Sequence, residues 1–482
     1  MEIQTPDWVK NAVFYQIFPD RFARSKHPKY GLWQSSNLEP WDSPPTYQGY
    51  KGGDLWGVIE RLDYLKDLGI NAIYFTPIFQ SASNHRYHTH DYYQVDPMLG
   101  GNVAFDFLIE EAHRHNIKIV LDGVFNHASR GFLFFNDILE HGPYSAWLSW
   151  FKIEKWPLSA YDGNYPANYV GWIGNRALPE FNHENPEVRE YIMQVGEYWL
   201  KKGIDGWRLD VPFEIKVPGF WQEFRSRVKA INPEAYIVGE IWEDASQWLD
   251  GTQFDGVMNY PFAEATIAFV AGDRVLKEYY QSQDFKPYPA LSAATYGEKM
   301  QQLLSRYPWD IQLTQLNLFN SHDTARVLTT SGKDKSSIKL ITFLMFTFPG
   351  APSIYYGDEV GLEGGKDPDC RRTFPKEENW DLEVLKYHKE IIAIRHQYAA
   401  LRTGDYQIVY ADDTVYVFSR TLDNQTVIVA VNVDNSERNV NFEGKNGEVL
   451  ANQLVYGEGD LSWDNNQASL KIPGRSGCIF VW

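Results

Sequence analysis

The stretch Gly206-Trp207-Arg208-Leu209-Asp210 is a short apolar run that closes on an acid, and the same pattern recurs along the chain. Lys118-Ile119-Val120-Leu121-Asp122 precedes it, and runs ending near Glu240 (YIVGE), Tyr260 (GVMNY), Asp323 (QLNLFNSHD) and Glu359 (SIYYGDE) follow. Two earlier runs, Ala12 to Phe18 and Ala72 to Phe75, complete the set. Bounded runs of this length predict buried strands. Between them lie helical patterns. Leu55, Val58, Ile59, Leu62 and Leu65 recur at helical spacing, with Asp54 placed to cap and Gly69 to terminate, and a second helix is predicted from Ala104 to His115. Eight strands alternating with helices predict a parallel barrel or a doubly wound sheet.

Two segments interrupt the alternation. Residues 128–180 are rich in Trp, Tyr, Gly and Pro and are too long for a plain loop, so they read as a subdomain inserted after the third strand. Beyond residue 400 the period changes to two. Thr414 to Phe418 and Thr426 to Val431 flank an Asp423-Asn424 turn, and Ser476 to Trp482 forms a last strand. The expected division is a barrel over 1–127 and 181–399, an insert over 128–180 and a C-terminal antiparallel β-sandwich over 400–482.

The chain has 482 residues and a net charge of −18, which disfavours nucleic acid or an anionic membrane as partner. Cys370 and Cys478 are its two cysteines, too few for a disulfide framework, and the N-terminus shows no signal-peptide core; the expectation is a cytoplasmic protein. Aromatic residues are numerous, with 17 Trp, 30 Tyr and 28 Phe. Many sit in polar stretches, among them Trp33, Trp41, Tyr47, Tyr50, Tyr161, Tyr165, Tyr169 and Trp172. Flat rings amid polar residues suit a ligand with apolar faces and hydroxyl edges, as sugars have.

Asp122, Asp210, Glu240 and Asp323 each close a separate run. In a barrel, such ends converge on one mouth, where catalytic groups gather. Arg208 lies two residues before Asp210 and shares its face on a strand, so its charge is expected to keep Asp210 ionised with a lowered pKa. Glu240 has apolar or aromatic neighbours at Tyr236, Ile237 and Val238 and becomes the candidate for the protonated partner. One ionised and one protonated carboxyl are the apparatus of glycoside hydrolysis. His85, His88, His90 and Asp91 fall within seven residues; by composition alone they suit either a divalent ion or plain polar contacts.

The segments DGVFNH (122–127), LPEFN (178–182), GWRLDVPFE (206–214), VGEIWE (238–243), NLFNSHD (317–323) and GAPSIYYGDEVG (350–361) resemble the α-amylase family of glycoside hydrolases, in its cyclomaltodextrinase, neopullulanase and maltogenic amylase branch. SNHRYHTHDYYQVDPMLGG (83–101) and DPDCRRTFP (367–375) extend the resemblance, which runs in family order from about residue 11 to the end. It implies a (β/α)₈ TIM barrel and a retaining hydrolase of α-1,4 and α-1,6 glucosidic bonds in maltooligosaccharides and related α-glucans. Asp210 would be the nucleophile, Glu240 the general acid/base, and Asp323 the residue that orients hydroxyls and stabilises the transition state. Tyr87, beside His85, would stack on the sugar at the cleavage point, with His127, Arg208 and His322 hydrogen-bonding around it. Asp367 and Arg371 would hold the next ring on the non-reducing side, Trp242 would support the leaving-group sugars, and Glu214 matches the family's motif as a further substrate contact. The histidine run then belongs to a sugar-binding loop, and the expectation is no resident metal and no cofactor.

Three departures shape the expectations further. The branch usually carries an N-terminal β domain, whereas the first barrel strand here begins near residue 12; the expected consequences are a wider cleft suited to long or branched glucans, and a monomer or a homodimer not mediated by such a domain. Phe213 stands where the branch has a polar amide beside the leaving-group subsites. Glu214 stands where many α-amylases place a calcium-site histidine. Two alternatives remain at this level: transglycosylation by the same residues as a 4-α-glucanotransferase, and a non-catalytic carbohydrate-binding relative.

Overall fold

The computed structural model describes residues 3–26, 37–280, 285, 287, 289–443 and 453–481; Trp33 and Trp482 lie outside the described residues. In chain order the first strands are β1 (Phe14–Ile17) and β2 (Ala72–Phe75), the antiparallel pair β3 (Phe79–Ser81) and β4 (Thr89–Val95), then β5 (Lys118–Gly123), β6 (Gly206–Leu209), β7 (Tyr236–Gly239), β8 (Gly256–Val257), β9 (Leu316–Asn317) and β10 (Ala351–Tyr355). Eight of them make one parallel sheet in the order β8-β7-β6-β5-β2-β1-β10-β9. A parallel bridge between Met258 and Leu316 joins the two ends and closes the ring. That bridge decides between barrel and open sheet. The strands are buried on both faces, which is why they read as continuous apolar runs rather than alternating ones.

Helix boundaries follow local chemistry. Asp54 accepts a hydrogen bond from the Gly57 N–H at 2.7 Å, and the helix it starts (Leu55–Glu60) breaks at Arg61 before resuming over Leu62–Leu68. Gly69 ends it at φ +97°, where a Cβ would also lie 2.5 Å from Ile392. Strands β8 and β9 are shorter than their apolar runs suggest. Asn259 donates through Nδ2 to Asn317 Oδ1 at 2.8 Å, and Asn317 Nδ2 donates to the Pro349 carbonyl at 2.8 Å, so side-chain amides extend a short backbone ladder there. Asp323 therefore lies in a loop well past the end of β9 rather than at a strand terminus.

The insert leaves the barrel after β5 and returns through bridges His127–Glu180 and Phe151–Phe181. Its hub is aromatic: Phe132, Phe135 and Phe151 pack with Tyr169 and Phe181. The C-terminal part contains β11 (Gln407–Ala411), β12 (Val415–Leu422), β13 (Gln425–Asn432), β14 (Arg438–Glu443), β15 (Gln453–Tyr456), β16 (Asp460–Asp464), β17 (Gln467–Ile472) and β18 (Ser476–Val481). They form antiparallel sheets β11-β12-β13-β18-β15 and β14-β17-β16. Val415, Val417, Ile428 and Ala430 face the smaller sheet. Tyr416, Phe418, Val427 and Val429 face the other way, into the barrel's own core.

Glu359, past β10, is fully buried and accepts hydrogen bonds from the Tyr15 and Tyr64 hydroxyls, both at 2.7 Å, with no cation in contact among the described residues. Burial raises its pKa from 4.5 to about 7. The folded state thus holds this proton more tightly than the unfolded chain, so its contribution is fully present below pH 4.5 and is lost as pH rises toward 7. Glu359→Gln, which cannot ionise, is expected to gain about 3 kcal/mol on the wild type between acid and neutral pH. Denaturant melts of both proteins at the two pH values measure this; parallel pH dependences would contradict it.

Candidate active site

Parallel pairing brings the acids to one end of the barrel. Asp122 pairs in register with Arg208, and Arg208 with Val238, so the residues that follow emerge side by side. The Asp210 N–H donates to the Gly123 carbonyl at 3.1 Å and the Glu240 N–H to the Leu209 carbonyl at 2.9 Å, fixing where each carboxyl leaves the barrel. Arg208 is fully buried beneath them. Its Nη1 lies 3.0 Å from both Asp122 oxygens and 3.1 Å from Asp210 Oδ1. Its Nη2 lies 2.9 Å from Glu240 Oε1, an ion pair whose angle falls outside hydrogen-bonding geometry. One guanidinium clamps three carboxylates.

This clamp corrects the expectation drawn from spacing. Arg208 does pull the pKa of Asp210 down, but it is outweighed: burial first, then the charge of Glu240, push Asp210 well above the ordinary carboxylate range. Asp122 rises to about 6 by burial, against the pull of Arg208. One cation cannot offset three buried acids. Glu240 accepts hydrogen bonds on both oxygens, from the Val211 N–H at 3.1 Å on Oε2 and from the Trp242 indole N–H at 3.3 Å on Oε1. Val211 holds a left-handed conformation (φ +35°, ψ +51°), a strained state for a β-branched residue and one that aims its N–H at Glu240.

Above the acids opens a cleft of about 910 Å³. Tyr87 and His85, from the β3–β4 hairpin, form one wall. Tyr87 stacks on His322 at 5.3 Å and 9°, donates through its hydroxyl to Asp122 Oδ2 at 2.7 Å, and lies 2.7 Å from His322 Nε2. The Gln16 amide donates to His322 Nδ1 at 3.0 Å, which leaves Nε2 carrying the proton that Tyr87 accepts. Burial, reinforced by Arg371, pushes His322 well below its usual pKa, so the ring is neutral. Burial does the same to His85. His127 stacks on Trp172 of the insert at 5.2 Å, and burial lowers its pKa to about 3. The His127 Nε2 and Trp172 Nε1 atoms are buried without a protein hydrogen-bond partner among the described residues. Asp323 contacts His322 Nε2 at 3.1 Å and Arg371 Nη2 at 3.4 Å, and Arg371 reaches Asp367 at 3.1 Å. Trp242 stacks on Tyr260 at 3.8 Å and 4°.

Asp210, Glu240, Asp323, His85, Tyr87 and His127 all line this cleft, as do Trp242, His322, Asp367 and Arg371. Two expected contacts do not. Arg208 lies under the floor, and Glu214 is turned toward Lys216, 3.8 Å away, outside the lining. Conversely, Asn175, Asp244, Gln247 and Trp248 line the cleft without having been singled out. Trp248 had a usable signal, an aromatic residue in a polar stretch shortly after Trp242.

Family comparison agrees with this geometry. The α-amylase catalytic-domain family matches residues 16–387, and the α-amylase C-terminal domain matches residues 404–480. The chain belongs to the α-amylase family. Within it, the chain is 66% identical to the debranching enzyme of Nostoc punctiforme, whose crystal structure superposes with a TM-score of 0.94 and full coverage of both chains. Neopullulanase 2 of Thermoactinomyces vulgaris is 43% identical over 436 residues, 89% of this chain and 70% of the relative. A cyclomaltodextrinase of Geobacillus thermopakistaniensis is 42% identical over 442 residues, 90% of this chain and 70% of the relative. This α-amylase-family chain is a glycoside hydrolase by kinship. Among its described residues no helix is long and apolar enough to cross a membrane.

Proposed function

We propose that the protein hydrolyses α-glucosidic bonds of maltooligosaccharides and branched α-glucans, α-1,6 branch linkages included, with retention of anomeric configuration. The observation that carries this reading is the convergence of Asp210, Glu240 and Asp323 on one cleft, the first two over a shared Arg208 guanidinium and the third against Arg371. Asp210 attacks the anomeric carbon while Glu240 protonates the departing oxygen; Glu240 then takes a proton from the water that releases the glucosyl enzyme. Asp323, braced by His322 and Arg371, holds the hydroxyls of the reacting ring, and Tyr87 supplies the flat surface beneath it. Asp367 and Arg371 bind the preceding sugar. Trp242 and Phe213, on the Glu240 side, face the leaving group. Residues 128–180 contribute a wall through Trp172. The pair needs its proton on Glu240 and its charge on Asp210 at bond cleavage, whereas burial favours a protonated Asp210 beforehand. Inclusion of branch linkages rests on kinship with an enzyme named for debranching.

The test is product analysis on linear, cyclic and branched maltooligosaccharides and on pullulan, with NMR of the first anomer released. The α-anomer and cleavage of both linkage types are expected. A first-formed β-anomer would remove the covalent mechanism, and intact branch points would remove the debranching part.

A further inference from the structure

Beside the main cleft lies a second groove of about 480 Å³, lined in part by Val217, Pro218 and Gln222. Phe213, Gln247 and Trp248 line both cavities, so the two meet along one ridge. Phe213 and Trp248 are half-buried, presenting flat apolar surface on the ridge. The ridge is anchored: Gln253 Nε2 donates to the Gln247 carbonyl at 2.8 Å, and the Trp221 indole donates to the Pro212 carbonyl at 3.0 Å, within the strained turn that follows Asp210. In a chain of net charge −18, the described lining of the groove has one charged residue, Lys216, itself 3.8 Å from the Glu214 carboxylate outside that lining. Aromatic faces, exposed amides and near-absence of charge match a neutral polyol, and the volume is in the range of small-molecule sites.

The chemistry of a branch point says what belongs there. When an α-1,6 bond is cleaved, the departing glucose unit carries chain in two directions, through C1 and through O4. When a linear α-1,4 bond is cleaved, the departing unit continues through C1 alone. The leaving-group side of an enzyme that cuts inside branched glucans therefore has to fork, and a fork is what the Phe213–Trp248 ridge makes. We propose that this groove is a second leaving-group arm, binding one of the two main-chain strands of an internally branched α-glucan while the main cleft beyond Glu240 takes the other. The proposal rests on the hydrolytic reading above and adds the shape of its substrate.

Selective blockage tests it. Gln222 is exposed on the helix Phe220–Ile231, and both native cysteines are buried, so Gln222→Cys creates one accessible thiol for a bulky maleimide. The same folded protein is then assayed before and after labelling on three substrates: a maltooligosaccharide with an α-1,6 side chain in mid-chain, one with the side chain on a terminal unit, and a linear one. Labelling is expected to lower kcat/KM about tenfold or more on the first and to leave the other two within about twofold, as befits loss of one pocket's contacts. Equal change on all three substrates, or no change on the first, would overturn the fork. If the unlabelled protein cleaves none of them, the hydrolytic reading itself falls, a result distinct from failure of the fork.

Discussion

Asp210→Asn is expected to lower kcat by roughly four orders of magnitude or more, with maltooligosaccharide binding changed only a few-fold. The amide keeps the shape and can still approach Arg208 Nη1, now 3.1 Å from Oδ1, but it cannot form the ester intermediate. A second readout distinguishes loss of chemistry from loss of fold. Asp210 binds its proton more tightly in the folded protein because burial and Glu240 raise its pKa. Its stabilising contribution is complete below the ordinary carboxylate value of 3.8 and declines as pH climbs toward the raised one. The variant lacks that decline, so its melting temperature should overtake the wild type's as pH rises. Activity within tenfold of wild type would remove Asp210 from the role of nucleophile, and a variant that loses stability with pH faster than the parent would overturn the raised pKa.

Arg208→Met should damage both activity and stability. The thioether fills similar space but leaves Asp122, Asp210 and Glu240 with no shared counter-charge in a buried setting. Breaking a buried pair from one side costs about 3–5 kcal/mol, and here three partners lose their cation together. The loss should be largest near neutral pH and shrink in acid, because Asp122, already at about 6, and Asp210 then take up protons. Turnover should fall by about a hundredfold or more, since both catalytic carboxyls lose the group that sets their positions. Arg208→Lys should recover part of the stability and little turnover, because a point charge cannot fork to three acids. A variant equal to wild type in melting temperature at pH 7 would show that the clamp is dispensable.

The barrel, with Asp122, Asp210 and Glu240 at its mouth, was largely legible because each of these acids closes a bounded apolar run, whereas Asp323 sits in a loop past β9. The i, i+2 relation of Arg208 and Asp210 was legible for the same reason. What lay beyond reach was the other end of Arg208. Asp122 and Glu240 come from neighbouring strands, so pairing in space, not spacing along the chain, makes one guanidinium serve three acids; the expected lowering of Asp210 failed on that point. Glu214 is a different case: the short 3₁₀ turn Pro212–Glu214 places it outside the cleft lining. Val211 left no trace in composition, since a β-branched residue gives no warning of left-handed backbone.

Strands β12 and β13 have no outer surface: one side chain in each pair feeds the sandwich and the next feeds the barrel. The larger C-terminal sheet is therefore a shared wall rather than an appendage. Cutting it away would strip the catalytic body of Tyr416, Phe418, Val427 and Val429 and leave a wide greasy scar on the barrel beneath it.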